Sequence, residues 1–173
     1  MKYFSQIKLL IAFGLTILLS GCASCKYSFK DISPIPENVK TFRVNPIENK
    51  AQYVNTQLAQ QLTEKAKQKI INTTRLRQTN SDEAHYDISG YISQYYTTTI
   101  SITDKQASGN RLNVGFHLIF KNTLDQTKDF EADISRSYDF DGQLSLTQAE
   151  ASLTPKIVTD LSDEIFNKIF SNW

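Results

Sequence analysis

The sequence is poor in the residues that mark a catalytic or metal-bound chain. Cys22 and Cys25 are its only two cysteines, and His85 and His117 its only histidines. A Cys-x-x-Cys metal or redox pair would want further ligands or a βαβ setting. The two histidines lie far away in sequence and show no partner pattern. There is no GxSxG, HExxH, P-loop or GxGxxG signature, and no nucleophile–base pair, so an enzyme is not expected. Charge of one sign is lacking too: 19 Lys and Arg stand against 18 Asp and Glu, which gives no reason to expect nucleic acid as a partner. Internal repeats and low-complexity stretches are missing. The longest apolar run, Ile7 to Leu19, is about 12 residues long, where a membrane-spanning helix wants about 20.

What is present is an ordinary globular composition over 173 residues, 40% hydrophobic and 21% charged, a one-domain length. The first 21 residues are set apart. Lys2 and Lys8 precede the apolar run, and the small residues Ser20 and Gly21 follow it. This is the layout of a secretory signal peptide. Leu19-Ser20-Gly21-Cys22 further fits a bacterial lipobox, in which the Cys thiol is acylated and becomes the new N-terminus. Each buried acyl CH₂ contributes about 0.8 kcal/mol, and lasting attachment takes more than one chain. A Cys22–Cys25 disulfide is incompatible with a thioether at Cys22, which leaves Cys25 as a thiol on the linker or one that pairs between molecules. The expected organisation is a signal peptide over 1–21, a lipidated tether over 22–38 with Pro34 and Pro36, and a folded domain over 39–173.

Within that domain, Val39 to Val44 reads as a short strand stopped by Asn45-Pro46. A helix is predicted from about Gln52 to Asn72, with Val54, Leu58, Leu62, Ala66 and Ile70 as an i+4 ladder backed by Ala59 and Ile71. Lys65, Lys67 and Lys69 read as a solvated face near its C-terminus. Arg75 to Thr79 is a weak strand. Three long alternating runs follow: Tyr86 to Ile102, Leu112 to Phe120 and Phe130 to Phe140. Short turns join them, as in an antiparallel meander with one buried and one polar face. A closing helix is predicted over Ser145 to Asn172, with a capping box at Ser145…Gln148 or Thr147…Glu150. Pro155 either kinks it or, with Thr154 as N-cap, begins a second helix; the apolar stripe keeps its phase, which favours a kink. The order β-α-β-β-β-β-α predicts an α+β two-layer sandwich, a mixed sheet covered on one face by two helices.

Several side chains stand out as contact candidates. Arg136 falls in phase with the apolar residues of its strand. It either pairs with a helix carboxylate at the sheet margin or meets an anionic ligand or partner. Arg111 follows a Gly109-Asn110 turn and is either an exposed turn residue or a second such contact. Tyr91, Tyr95 and Tyr96 with the threonines that follow are expected on the outward side of a long strand, a surface suited to β-augmentation or docking on another β protein. His117 reads as a solvated residue of a polar strand face. Asp139-x-Asp141-Gly142 is a fragment of a Ca²⁺ loop and is read as a solvated strand end, so no metal site is expected.

The scattered stretches Tyr27-Ser28-Phe29, Ile35-Pro36-Glu37-Asn38-Val39-Lys40-Thr41, Asn55-Thr56-Gln57-Leu58, Gly90-Tyr91, Asn110-Arg111-Leu112, Ser135-Arg136-Ser137-Tyr138-Asp139, Ser145-Leu146-Thr147 and Ile165-Phe166-Asn167-Lys168 come in an order that resembles the LptE family of outer-membrane lipoproteins. The resemblance covers nearly all of Cys22 to Trp173; Cys25 and Pro155 depart from it. It implies a non-enzymatic plug inside an LptD-like outer-membrane β-barrel that helps the barrel assemble and contacts lipopolysaccharide on its way to the cell surface. It implies no cofactor beyond the lipid on Cys22. Arg111, Arg136, Lys105 and Lys121 are the cations expected to meet phosphorylated lipid or barrel, with Tyr95 and Tyr96 beside them. Ala23-Ser24 after Cys22 looks like delivery to the inner leaflet of the outer membrane. The competing reading is a periplasm-facing lipoprotein that binds an envelope ligand or polymer independently of a barrel.

Overall fold

The computed structural model describes residues 35–100 and 109–171. The signal segment, Cys22, Cys25, most of the tether, Lys105 and Trp173 lie outside the described residues. In chain order the elements are β1 (Thr41–Val44), β2 (Glu48–Asn49), α1 (Thr56–Thr73), β3 (Arg77–Gln78), β4 (Tyr86–Ile100), β5 (Gly109–Asn122), a 3-10 turn (Gln126–Lys128), β6 (Phe130–Asp141) and α2 (Leu146–Phe170). They form one sheet in the order β3-β1-β4-β5-β6, with β2 pairing β4 beyond β1. β1 runs parallel to β3 and β4, as a strand–helix–strand crossover through α1 requires. β4, β5 and β6 form the expected antiparallel meander. The α+β mixed sheet with two helices is therefore the architecture; β2 is an addition to the predicted order.

α1 begins later than its apolar pattern predicts. Asn55, in extended backbone, accepts from the Gln57 and Leu58 N–H groups at 3.1 and 3.0 Å and caps the helix. Val54 consequently lies before the helix and is exposed, and Ile71 is exposed as well. Leu58, Leu62, Ala66 and Ile70 make the buried stripe. Each fully buried Leu or Ile contributes about 1.5–3 kcal/mol. Of the three lysines, Lys69 is no solvated bystander: its Nζ lies 3.0 Å from Asp163 of α2 and ties the helices together.

α2 is capped by the Ser145–Gln148 box, with Ser145 Oγ accepting from the Gln148 N–H at 3.3 Å and Gln148 Oε1 accepting from the Ser145 N–H at 2.9 Å. The helix continues through Pro155 without dividing at Thr154. Ile157, Leu161, Ile165 and Ile169 are buried against the sheet, where Phe42, Ile88, Ile92, Phe116, Leu118 and Phe120 meet them. Gly90 sits where β4 passes under Phe116. A Cβ there would collide with the His117 carbonyl and stand 2.5 Å from Phe116 Cζ.

The pairing of β4 with β5 shifts by one residue between Ile92 and Gln94. This β-bulge reverses which side chains of β4 face the helices. Before it Tyr86, Ile88 and Ile92 point inward; after it Tyr95 does.

Candidate functional site

The helices cover one face of the sheet. The other face carries the odd-numbered side chains of β5 and β6, arranged by register into cross-strand rows. One row reads Tyr91, His117, Asp133. The Tyr91 and His117 rings lie 5.1 Å apart, and Lys50 Nζ stands 4.3 Å above Tyr91. His117 Nδ1 is 2.8 Å from Asp133 Oδ1 and Nε2 is 3.1 Å from Glu131 Oε2. Only the imidazolium can donate from both nitrogens, so the Asp133 hydrogen bond, with Glu131 beside it, raises the His117 pKa above its ordinary value. His117 is thus not a simply solvated residue, as its sequence position implied. Its partners come from the neighbouring strand, which local pattern does not reveal.

A second row is Tyr96, Asn113, Ser137. Ser137 Oγ donates to Asn113 Oδ1 at 2.8 Å, and Asn113 Nδ2 donates to Thr98 Oγ1 at 3.3 Å. Tyr96 is half exposed. The third row sets Arg111 opposite Asp139. The guanidinium donates through Nε at 2.6 Å and Nη2 at 3.0 Å, a bidentate pair. It holds the Asp139 carboxyl below the usual carboxylate range. Lys121, exposed, stands opposite Asp87. Among the described residues no cluster of three or more His, Cys, Asp or Glu could hold a metal, and Asp139 is engaged by Arg111.

Arg136 has the phase expected of it but not a buried place. On the helix side of β6, its Nη2 donates to Glu164 of α2 at 2.6 Å while the side chain stays about half exposed. The helix-carboxylate pairing accounts for this cation on the apolar side. The guanidinium still borders solvent.

Tyr95 corrects the sequence reading. It is 2% exposed, turned inward by the bulge, and does not belong to the outer surface. Its hydroxyl donates to Glu150 Oε1 at 2.8 Å and accepts from Asn55 Nδ2 at 3.4 Å. Tyr53 stacks on its ring at 5.6 Å and donates to Glu150 Oε2 at 3.3 Å. Burial pushes the Tyr95 phenol pKa up. Asn55, Tyr53 and Glu150 carry no sequence signal of this network, because the segment before α1, the helix α2 and Tyr95 of β4 meet only in the fold. They floor a groove of about 420 Å³ between the N-terminal ends of α1 and α2, walled by Val54, Gln61, Thr147 and Pro155. The groove is polar, with a carboxylate already held by three donors, and shows no nucleophile–base pair. Among the described residues no helix is long and apolar enough to cross a membrane.

The chain is similar in fold to the crystal structure of a minor lipoprotein from Acinetobacter baumannii. Identity is 14% with a TM-score of 0.52, over 78% of this chain and 94% of that one. A solution structure of a lipoprotein B from Nitrosomonas europaea is similar at 14% identity and a TM-score of 0.50, over 87% of this chain and 91% of that one. No curated protein matches. A family model described as LptE, lipopolysaccharide-assembly, matches residues 39–169, the folded domain from just before β1 to the end of α2, and the chain belongs to that family.

Proposed function

We propose that this protein is an outer-membrane lipoprotein that plugs an LptD-like β-barrel, assists its assembly and contacts lipopolysaccharide in transit. Family membership over 39–169 supports the reading. The structural observation that carries it is the sheet face that, among the described residues, neither helix covers. Its side chains are mostly polar, and Arg111 and His117 are paired with carboxylates across the strands. Such a face can line a water-filled lumen without a large desolvation cost. A lipid on Cys22 holds the chain at the inner leaflet, and the tether places the domain in the barrel. Arg111, Lys121 and Tyr96 are the contacts on that face, and Arg136 adds one on the helix side of β6. Lys105, outside the described residues, keeps the same proposed role, whereas buried Tyr95 supports the fold instead.

The test is depletion of the protein from the cell. It should lower the amount of folded barrel in the outer membrane and leave lipopolysaccharide short of the surface. Full barrel assembly and normal surface lipopolysaccharide after depletion would overturn the proposal.

A further inference from the structure

The two edges of the sheet are built differently. The β3 edge is two residues long, a common way to blunt an edge. The β6 edge is 12 residues long, pairs with β5 in unbroken register from Phe130 to Asp141, and contains neither proline nor bulge. Its outward main-chain groups can be assigned. The Thr123 N–H donates to the His85 carbonyl at 2.9 Å, while the Asn45 N–H reaches the Ile88 carbonyl from the other side of β4 at 2.8 Å. Hydrogen bonding alternates along an antiparallel ladder, so odd-numbered residues of β5 bond β4 and even-numbered ones bond β6. Register pairs even with even between β5 and β6. Glu131, Asp133, Ser135, Ser137 and Asp139 therefore turn their N–H and C=O groups away from the sheet. Among the described residues, β6 pairs with no strand but β5. β4 also outruns β2, but it leads into residues 101–108, outside the description.

The edge is guarded by carboxylates that keep most of their surface in solvent, although Glu131 and Asp133 share His117 and Asp139 is held by Arg111. The side chains of Glu131, Asp133 and Asp139 are 64%, 82% and 58% exposed. Antiparallel pairing of two copies about Ser135 would set Glu131 against Asp139; pairing about Ser137 would set Asp133 against Asp141. Like charges directly opposite each other are destabilising, so a second copy is a poor occupant. A strand with cations on the matching face is a good one.

We propose that the β6 edge receives an extended segment of a partner protein, one with Lys or Arg side chains beside Glu131, Asp133 and Asp139. The inference rests on the barrel reading above, which makes that partner the barrel protein. It deepens that reading by naming the edge, the pairing mode and the charge of the segment.

The experiment uses the full chain in native membranes, with a photo-reactive benzoylphenylalanine at Ser135 and, as control, at exposed Gln60 of α1. Ser135→Pro and Ser135→Ala accompany it. Proline removes only an outward N–H at this position and keeps the bonds to β5. The expected result is an adduct from Ser135 to a Lys- or Arg-bearing peptide of the barrel protein, and none from Gln60. Ser135→Pro should lower barrel recovery by about tenfold, the equivalent of about 1.4 kcal/mol, and Ser135→Ala should leave it unchanged. A barrel recovered equally with Ser135→Pro and no adduct at Ser135 would overturn this inference and leave the barrel reading intact. An adduct to a second copy would overturn it as well. Failure of the wild-type chain to recover any barrel would sink both. If circular dichroism shows Ser135→Pro unfolded, the presence or absence of the Ser135 adduct decides.

Discussion

Tyr95→Phe removes one oxygen atom and tests the bulge that turns this side chain inward. The ring stays, with its stacking on Tyr53 and its burial. What is lost is the hydroxyl, which donates to Glu150 Oε1 at 2.8 Å and accepts from Asn55 at 3.4 Å. A hydrogen bond to a charged group contributes about 1.5–3 kcal/mol. Glu150 keeps Asn55 and Tyr53 as donors and sits beside the groove, so water can replace part of the loss. The expected cost is about 2 kcal/mol, a fall in Tm of about 6–8 °C for a domain of this size. Urea unfolding of the mature chain, with the midpoint read at constant m-value, measures it. Glu150→Gln closes a double-mutant cycle and isolates the pair. Unbroken alternation along β4 would point Tyr95 at solvent, where loss of the hydroxyl costs almost nothing. A change below about 0.5 kcal/mol, the range of ordinary surface substitutions, would refute the inward placement.

Three further outcomes follow from the same geometry. Gly90→Ala should destabilise by about 1–3 kcal/mol, the range for overpacking, because its Cβ meets the His117 carbonyl and the Phe116 ring; calorimetry reads it. Ser145→Ala should cost about 1 kcal/mol through loss of the α2 cap, measured by the same unfolding, whereas Thr147→Ala should be near neutral. His117 carries a raised pKa from Asp133 and Glu131. Its contribution is full below the ordinary His value of about 6.5 and is lost as pH rises through the higher folded value. The urea midpoint of the wild type should therefore fall over that window relative to His117→Ala; parallel pH profiles of the two proteins would contradict the pairing.

The long alternating runs were legible because β5 and β6 keep one phase from end to end, and each has one face on the helices. The α1 and α2 stripes were legible for the same reason. β2 was not, since two residues carry no period and Asn45-Pro46 reads as a stop. Val54 lay in phase with the helix ladder, yet Asn55 caps the helix after it. Local alternation could not show the bulge at Ile92–Gln94, which is a property of the pairing with β5, and so it placed Tyr95 on the wrong face. The outer rows joining His117 to Asp133 and Arg111 to Asp139 depend on register between strands, which no local pattern encodes. Arg136 was visible as a cation out of place, and its partner Glu164 lies on α2, reached only when the helix docks.

The proposed role puts this domain inside a barrel. Mild detergent extraction of native membranes through a tag on the full chain tests it most directly. One large outer-membrane β-barrel protein should come down with it at about one to one, the stoichiometry of a plug within its pore. Recovery of the protein alone, under conditions that leave other membrane complexes whole, would contradict it.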